Sequence, residues 1–173
     1  MMIRYVLLLV FIVEFQSVKS QDPEKRLGEL NIVLPATSSP IASYVNAVQV
    51  GNLLYLSGKG PKKADGTYMT GKLGASLTLE EGKEAARITG LIILAELKHQ
   101  LKDLNKVKKI VKVLGMVNAS PDFDQHPKVI NGFSDLMIEV FGDKGKHARS
   151  AVGVCSLPFN MAVEIEVIIE IEN

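Results

Sequence analysis

Two strand-like segments near the C-terminus hold the side chains with the clearest chemical capacity. From Arg149 to Ser156, residues Arg149, Ala151, Gly153 and Cys155 share one face, and Ser150, Val152, Val154 and Ser156 share the other. A guanidinium flanked only by small side chains has room beside a planar two-pronged donor, the arrangement that grips the carboxylate of a small molecule. A structural ion pair would use the same residue. From Val163 to Glu172, Val163, Ile165, Val167, Ile169 and Ile171 alternate with Glu164, Glu166, Ile168, Glu170 and Glu172. Such alternation describes a strand with one face in a core and one in water. A glutamate brought next to Arg149 would instead handle protons or orient a water, and periodicity leaves both uses open.

Upstream elements must position these strands. Asp22-Pro23-Glu24 starts a short helix with an N-cap acceptor, a proline in the first turn and an acid at the positive dipole end. Leu27 and Leu30 form its stripe, and it ends near Asn31. A loop from Pro35 to Pro40 precedes two β runs, Tyr44 to Val50 and Leu53 to Ser57, joined at Gly51-Asn52 as a tight hairpin. A Lys- and Gly-rich loop follows from Gly58 to Gly74. Thr78 and Glu81 form a capping box that opens a helix reaching about Leu101, with Ala86, Ile93, Leu94, Leu97 and Leu101 inward. Val107 to Val117 is β-branched and reads as a strand. After a turn at Asn118 to Phe123, Pro127 to Phe141 forms a second long helix with Val129, Phe133, Leu136, Met137 and Val140 inward. The order α-β-β-α-β-α-β-β predicts an α+β domain whose helices cover one sheet face.

Composition sets outer limits. The chain has 173 residues, 47% of them hydrophobic and 23% charged, enough for one domain with a real core. A single Cys excludes an internal disulfide framework and a Cys-based zinc cage. Twenty Lys+Arg against 19 Asp+Glu give no general attraction for nucleic acid or anionic membrane, and the absence of Trp leaves few stacking platforms. Met1 to Ser20 reads as a secretory signal: Arg4, an apolar run from Tyr5 to Val13, and Val18 and Ser20 placed for cleavage before Gln21. Glu14 is unusual in such a signal. The run is shorter than the ~20 residues that span a bilayer. The expected organisation is therefore residues 1–20 signal, 21–34 N-terminal helix and 35–173 main domain, with secretion expected and a cytoplasmic location as the alternative. Removing Arg4, Lys19 and Glu14 leaves a mature chain of zero formal charge. Cys155 then reads as a buried thiol, and Asn118-Ala119-Ser120 as a glycosylation sequon. His99 and His126 lack metal-ligand spacing and read as exposed residues flanking helices. Lys106, Lys108, Lys109 and Lys112 read as a solvated strand edge rather than a nucleic-acid patch.

Ala148-Arg149-Ser150, Leu157-Pro158 and Val163-Glu164-Ile165-Glu166, in that order and spacing, resemble the C-terminal signature of the RidA/YjgF family of reactive imine/enamine deaminases. Pro40 to Tyr44, Val50-Gly51-Asn52 and Ser57-Gly58-x-x-Pro61 resemble its N-terminal hairpin, and Asn131 matches an asparagine in its second long helix. The resemblance runs from about Pro35 to Glu172. Pro121-Asp122-Phe123, Asn131-Gly132 and His147 to Gly153 resemble a particular branch with an added N-terminal helix.

The resemblance implies a chorismate-mutase-like α+β fold, a mixed sheet with two long helices on one face, and a homotrimer with sites in clefts between subunits. By this resemblance Arg149 grips the substrate carboxylate, Glu164 positions the hydrolytic water, and Tyr44, Ser57, Gly58 and Asn131 line the pocket. The implied partners are small enamines or imines of the 2-aminoacrylate type and the 2-keto acids they yield with ammonia. No metal or organic cofactor is implied, nor any membrane contact for the mature form or nucleic acid. The alternatives are a non-enzymatic ligand-binding or chaperone-like trimer and an endoribonuclease, for which the chain lacks a convincing histidine pair. Three departures stand out: Ala151 where the family often has Cys, Lys59-Gly60 in place of Gln and an apolar residue at the cleft edge, and His147 in place of proline. His147 reads first as a surface or capping histidine and second as an acid or base beside Arg149.

Overall fold

The alternating C-terminal segment is the strand around which the sheet assembles. The computed structural model describes residues 21–37 and 43–172; the expected signal segment and Pro40 lie outside them. Its elements are α1 (Pro23–Glu29), β1 (Ala47–Val50), β2 (Leu53–Lys59), α2 (Leu79–Leu101), β3 (Val107–Asn118), α3 (His126–Phe141), β4 (Ala148–Val154) and β5 (Val163–Ile171). The sheet order is β1-β2-β5-β3-β4, with β5 in the middle. β1, β2, β5 and β3 pair antiparallel, and β3 and β4 pair parallel across the α3 crossover. The fold is the α+β class expected, with the element order expected.

Register decides what each face presents. Val113, Gly115 and Val117 of β3 lie opposite Val167, Ile165 and Val163 of β5, and these residues are buried under α2 and α3. The other face carries Glu164, Glu166 and Ile168 of β5 beside Met116, Leu114 and Lys112 of β3. No described element covers it, and Val48, Val50, Tyr55 and Val152 stand there 51%, 61%, 41% and 42% exposed. Isolated surface valines are ordinary; here several apolar side chains share one uncovered sheet face.

The helical layer is held by caps and by close backbone approach. Thr78 Oγ1 accepts from the Glu81 amide at 3.3 Å, while the Glu81 carboxylate accepts from the Thr78 amide at 2.8 Å, completing the expected capping box. α1 is capped by Asp22, which accepts from the amides of Glu24 and Lys25. It docks through Glu24, whose carboxylate pairs with Lys98 at 2.6 Å and accepts from the Leu104 amide at 3.1 Å. Where α2 and α3 cross, Gly90 sits against Leu136 and Phe133, and Gly132 sits on the Lys83 carbonyl.

Local expectations meet the structure with mixed outcome. β1 starts at Ala47 rather than Tyr44, and β2 runs on to Lys59 through a bulge after Leu56. Lys108 and Lys109 sit on an exposed edge, where the first residues of β3 have β5 alone beside them, but Lys112 does not: it pairs with both β4 and β5 and donates to Ser150 at 2.8 Å. Asn118 is fully buried at the end of β3, its amide donating to Asn160 Oδ1 at 3.0 Å, so the folded sequon is closed to a glycosylating enzyme. Cys155 is exposed, not buried, because β4 ends at Val154 and the chain leaves the sheet there.

Gly132→Ala places a methyl group against the Lys83 carbonyl, backbone on backbone, and neither helix has slack to yield. The steric penalty outweighs the ~1 kcal/mol gain in helix propensity, and stability is expected to fall by about 2 kcal/mol. Urea unfolding followed by circular dichroism measures it; an unchanged midpoint would show that the helix crossing is looser than described.

Candidate active site

β4 is the edge strand next to β3, and Arg149, paired with Val113, therefore points to the helix side. Small neighbours on that face let its side chain lie along the strand beneath α3. There α3 presents Pro127, Asn131 and Ser134, four and then three residues apart and so on one stripe. Arg149 Nη1 donates to Asn131 Oδ1 and to Ser134 Oγ, both at 2.9 Å, and Nη2 donates to the Pro127 carbonyl at 3.2 Å. All three acceptors are neutral, and no ion pair among the described residues includes Arg149. Of the five guanidinium hydrogens, those on Nε and one on Nη2 have no protein acceptor among the described residues. These two nitrogens bound one edge of the group, the edge that takes a carboxylate side-on.

His147 lies behind this arginine. Its Nδ1 is 2.7 Å from the Gly145 carbonyl and its Nε2 is 3.0 Å from Ser134 Oγ. Its ring meets Phe133 edge-on at 6.0 Å. Burial pushes the imidazole below its ordinary value of 6.5, only partly opposed by the Gly145 hydrogen bond, and the Arg149 charge pushes the same way.

Glu164 occupies the opposite face of the sheet, beside Met116. The bulge in β2 brings Ser57 and Gly58 alongside, and the Glu164 carboxylate fills the space that a side chain at Gly58 would need. Ser57 donates to the Val45 carbonyl at 2.6 Å, and the neighbouring Tyr44 is 48% exposed. Burial holds the Glu164 carboxyl above its ordinary value of 4.5, with the Glu166 charge adding to the effect. Lys59 does not reach the cleft edge. Beyond the bulge its ammonium turns to the helix side, donates to Asn46 and feels the buried Glu96, while burial lowers its affinity for a proton.

The residues singled out in the sequence therefore form two groups on opposite faces of one sheet, Arg149 with Asn131 and Glu164 with Ser57 and Gly58, while Tyr44 lies exposed ahead of β1. A single chain does not bring the arginine and the glutamate together. Beyond Arg149 on its own face, a cavity of about 430 Å³ is lined by Lys72, Phe123, His126, Gly153 and Cys155 among others. Its His126 ring lies over Gly153, where any side chain would collide with it. Among the described residues no three of His, Cys, Asp and Glu converge as metal ligands, and no helix is long and apolar enough to cross a membrane. Sequence reasoning passed over Ser134 and the Pro127 carbonyl. Their signal was the spacing of Pro127, Asn131 and Ser134, four and three residues apart, along one stripe of the helix.

A mixed five-stranded sheet with two long helices on one face defines an α+β fold of the chorismate-mutase-like kind. The chain belongs to the YjgF family: the family described as "YjgF/chorismate_mutase-like, putative endoribonuclease" matches residues 24–171. It is 47% identical over 148 residues to Protein TCP17 of Trypanosoma cruzi, covering 85% of this chain and 92% of that one. It is 34% identical over 142 residues to the 2-iminobutanoate/2-iminopropanoate deaminase of Dermatophagoides farinae, covering 82% of this chain and 95% of that one. Among solved structures, the protein Atu1372 of Agrobacterium tumefaciens, whose function is unknown, superposes with a TM-score of 0.80 at 41% identity, over 87% of this chain and 92% of that one.

The His147 imidazole is expected to titrate below 6.5, followed by its Cε1–H resonance against pH. Since its proton affinity is depressed in the fold, the unfolded chain takes up that proton first. Stability contributed by the neutral ring is thus present above 6.5 and drains away as pH falls from there through the folded-state value. A folded-state titration at or above 6.5 would contradict the described environment.

Proposed function

We propose that this protein hydrolyses small 2-imino or enamine acids to 2-keto acids and ammonia, in a trimer of identical chains whose sites pair Arg149 of one subunit with Glu164 of the next. The observation that carries the reading is the Arg149 guanidinium, fastened by three neutral acceptors while its Nε hydrogen and one Nη2 hydrogen have no protein acceptor among the described residues. The deaminase relative at 34% identity supports the reaction class. The uncovered sheet face, with its exposed valines and Tyr55, supports self-association, and closed rotational symmetry would place one subunit's Glu164 face against another's edge strand.

The chemistry needs little machinery. The carboxylate of the substrate docks on the Nε–Nη2 edge of Arg149, which fixes the imine carbon in place. Water adds to that carbon, forming a C–O bond while the C=N pair moves to nitrogen. Glu164 takes one proton from the attacking water and passes it to nitrogen, giving a carbinolamine; it then takes the remaining hydroxyl proton and passes it to the same nitrogen, so that ammonia leaves as the C=O bond forms. A carboxyl whose proton affinity is raised by burial and by Glu166 suits both directions of that transfer. Ala151 removes any thiol step at its position. Secretion, on the strength of Met1 to Ser20, belongs to the same proposal. The endoribonuclease activity in the family description finds no paired histidines here: His126 sits with Phe123 over Gly153, and His147 with Ser134 and Gly145.

The test generates 2-aminoacrylate or its homologue in situ with a pyridoxal-phosphate dehydratase and follows keto-acid release. The purified protein is expected to accelerate it, and Arg149→Ala to lower kcat/KM about 100-fold or more with the fold intact. Mixed refolding of inactive Arg149→Ala and Glu164→Gln chains should restore about a quarter of wild-type activity, the share of sites drawing both intact residues from different subunits. Full activity in Arg149→Ala, or no recovery on mixing, would overturn the corresponding part of the reading.

A further inference from the structure

The hydrogen bonds behind Arg149 form a chain that the hydrolysis itself does not use. From the outside in, Arg149 Nη1 donates to Ser134 Oγ at 2.9 Å, Ser134 Oγ lies 3.0 Å from His147 Nε2, and His147 Nδ1 lies 2.7 Å from the Gly145 carbonyl. The two ends assign every proton between them. A carbonyl accepts only, so Nδ1 carries the ring hydrogen; a guanidinium donates only, so Ser134 receives from it. The neutral ring then has a lone pair on Nε2, and the Ser134 hydroxyl donates to it. A serine within a helix ordinarily turns its hydroxyl to a carbonyl of the preceding turn. Here His147 takes that proton, which leaves the Ser134 oxygen facing the arginine.

The far end of the chain is rigid. Gly145 is buried with its backbone packed against the Met137 and Ile138 backbone, where any Cβ would overlap. Phe133, fully buried, meets the edge of the His147 ring. Ser134 itself is 8% exposed. With Asn131 taking the other Nη1 hydrogen at 2.9 Å, the Nη1 side of the guanidinium has both hydrogens fixed.

We infer that His147 is a positioning residue: acting through Ser134, it sets the plane of the Arg149 guanidinium so that the Nε–Nη2 edge is presented as a fork to the substrate carboxylate. The inference rests on the reading of Arg149 as the carboxylate grip. It makes His147 neither a surface residue nor an acid or base for the reaction. A neutral imidazole is what the chain requires, and the depressed proton affinity of His147 agrees with that. Positioning of this kind acts on binding, because a freed guanidinium still carries its charge but spends part of its time with the wrong edge outward.

The experiment compares wild type with Ser134→Ala, His147→Ala and the double variant. The first readout is independent of turnover: side-chain ¹H–¹⁵N spectra of Arg149, where slow rotation of the Nη1 group is expected in wild type and its loss in each variant. The second is the KM for the imine and the Kd for pyruvate as a keto-acid probe. Both are expected to rise about tenfold in either single variant, the worth of one charge-assisted hydrogen bond, with most of the effect on KM rather than kcat. The double variant should be no worse than the singles, since the two residues act as one unit. Imidazole added to solution should restore His147→Ala and leave Ser134→Ala unchanged. A KM within twofold of wild type in Ser134→Ala, or effects that add in the double variant, overturns the inference. If wild type turns over no imine, the reaction reading fails by itself; the Arg149 spectra still decide this inference, and rotation unaltered in both single variants refutes it.

Discussion

A guanidinium fastened by neutral oxygens, with no carboxylate paired to it among the described residues, is the constraint on which the rest of the site depends. Pairing Arg149 with an aspartate would have neutralised it and closed its donors. Instead α3 supplies a backbone carbonyl, an amide oxygen and a hydroxyl, which satisfy three hydrogens without cancelling the charge. A half-buried cation without a protein counter-ion among the described residues is an incomplete electrostatic arrangement, which in the proposed function the substrate carboxylate completes. Much of the surrounding structure follows from that arrangement. The edge strand keeps Ala151 and Gly153 small, α3 carries Asn131 and Ser134 beside its apolar stripe, and burial, with the Arg149 charge acting the same way, lowers the proton affinity of the nearby His147.

The sheet separates the two reactive groups as firmly as it orders each of them. Side chains of adjacent strands share a face only when the register says so, and β3 between β4 and β5 puts Arg149 with Val113 on one side and Glu164 with Met116 on the other. In the proposed assembly this separation becomes useful. Each chain then offers an acid grip on one surface and a proton-handling carboxyl on the other, and neither surface is a complete site until two copies meet. The exposed valines of the Glu164 face are a reason for such copies to meet.

Most of the architecture was legible because its signals are local. The capping box at Thr78, the alternation from Val163 to Ile171, the apolar stripe of α3 and the small-residue face of β4 each follow from contacts a few residues apart, and the element order follows from them. What escaped depended on partners distant in the chain. Nothing near Asn118 announces that Asn160 and Ala162 will bury it. Nothing near Lys59 announces that a bulge will turn it toward Asn46 and Glu96. The environment of Cys155 was misjudged for the same reason, since its exposure depends on where β4 stops rather than on its own neighbours.

The sequence by itself determined the alternation of elements, which residues of each strand share a face, and the presence of an arginine with space around it, because periodicity and side-chain size are written along the chain. Only the tertiary structure decided which face meets the helices, that Arg149 has no counter-ion among the described residues, that Ser134 and His147 stand behind it, and that Glu164 lies across the sheet. Those outcomes depend on strand order and register, which arise when segments far apart in the chain pair and bury their apolar faces together, and no short-range pattern encodes that choice.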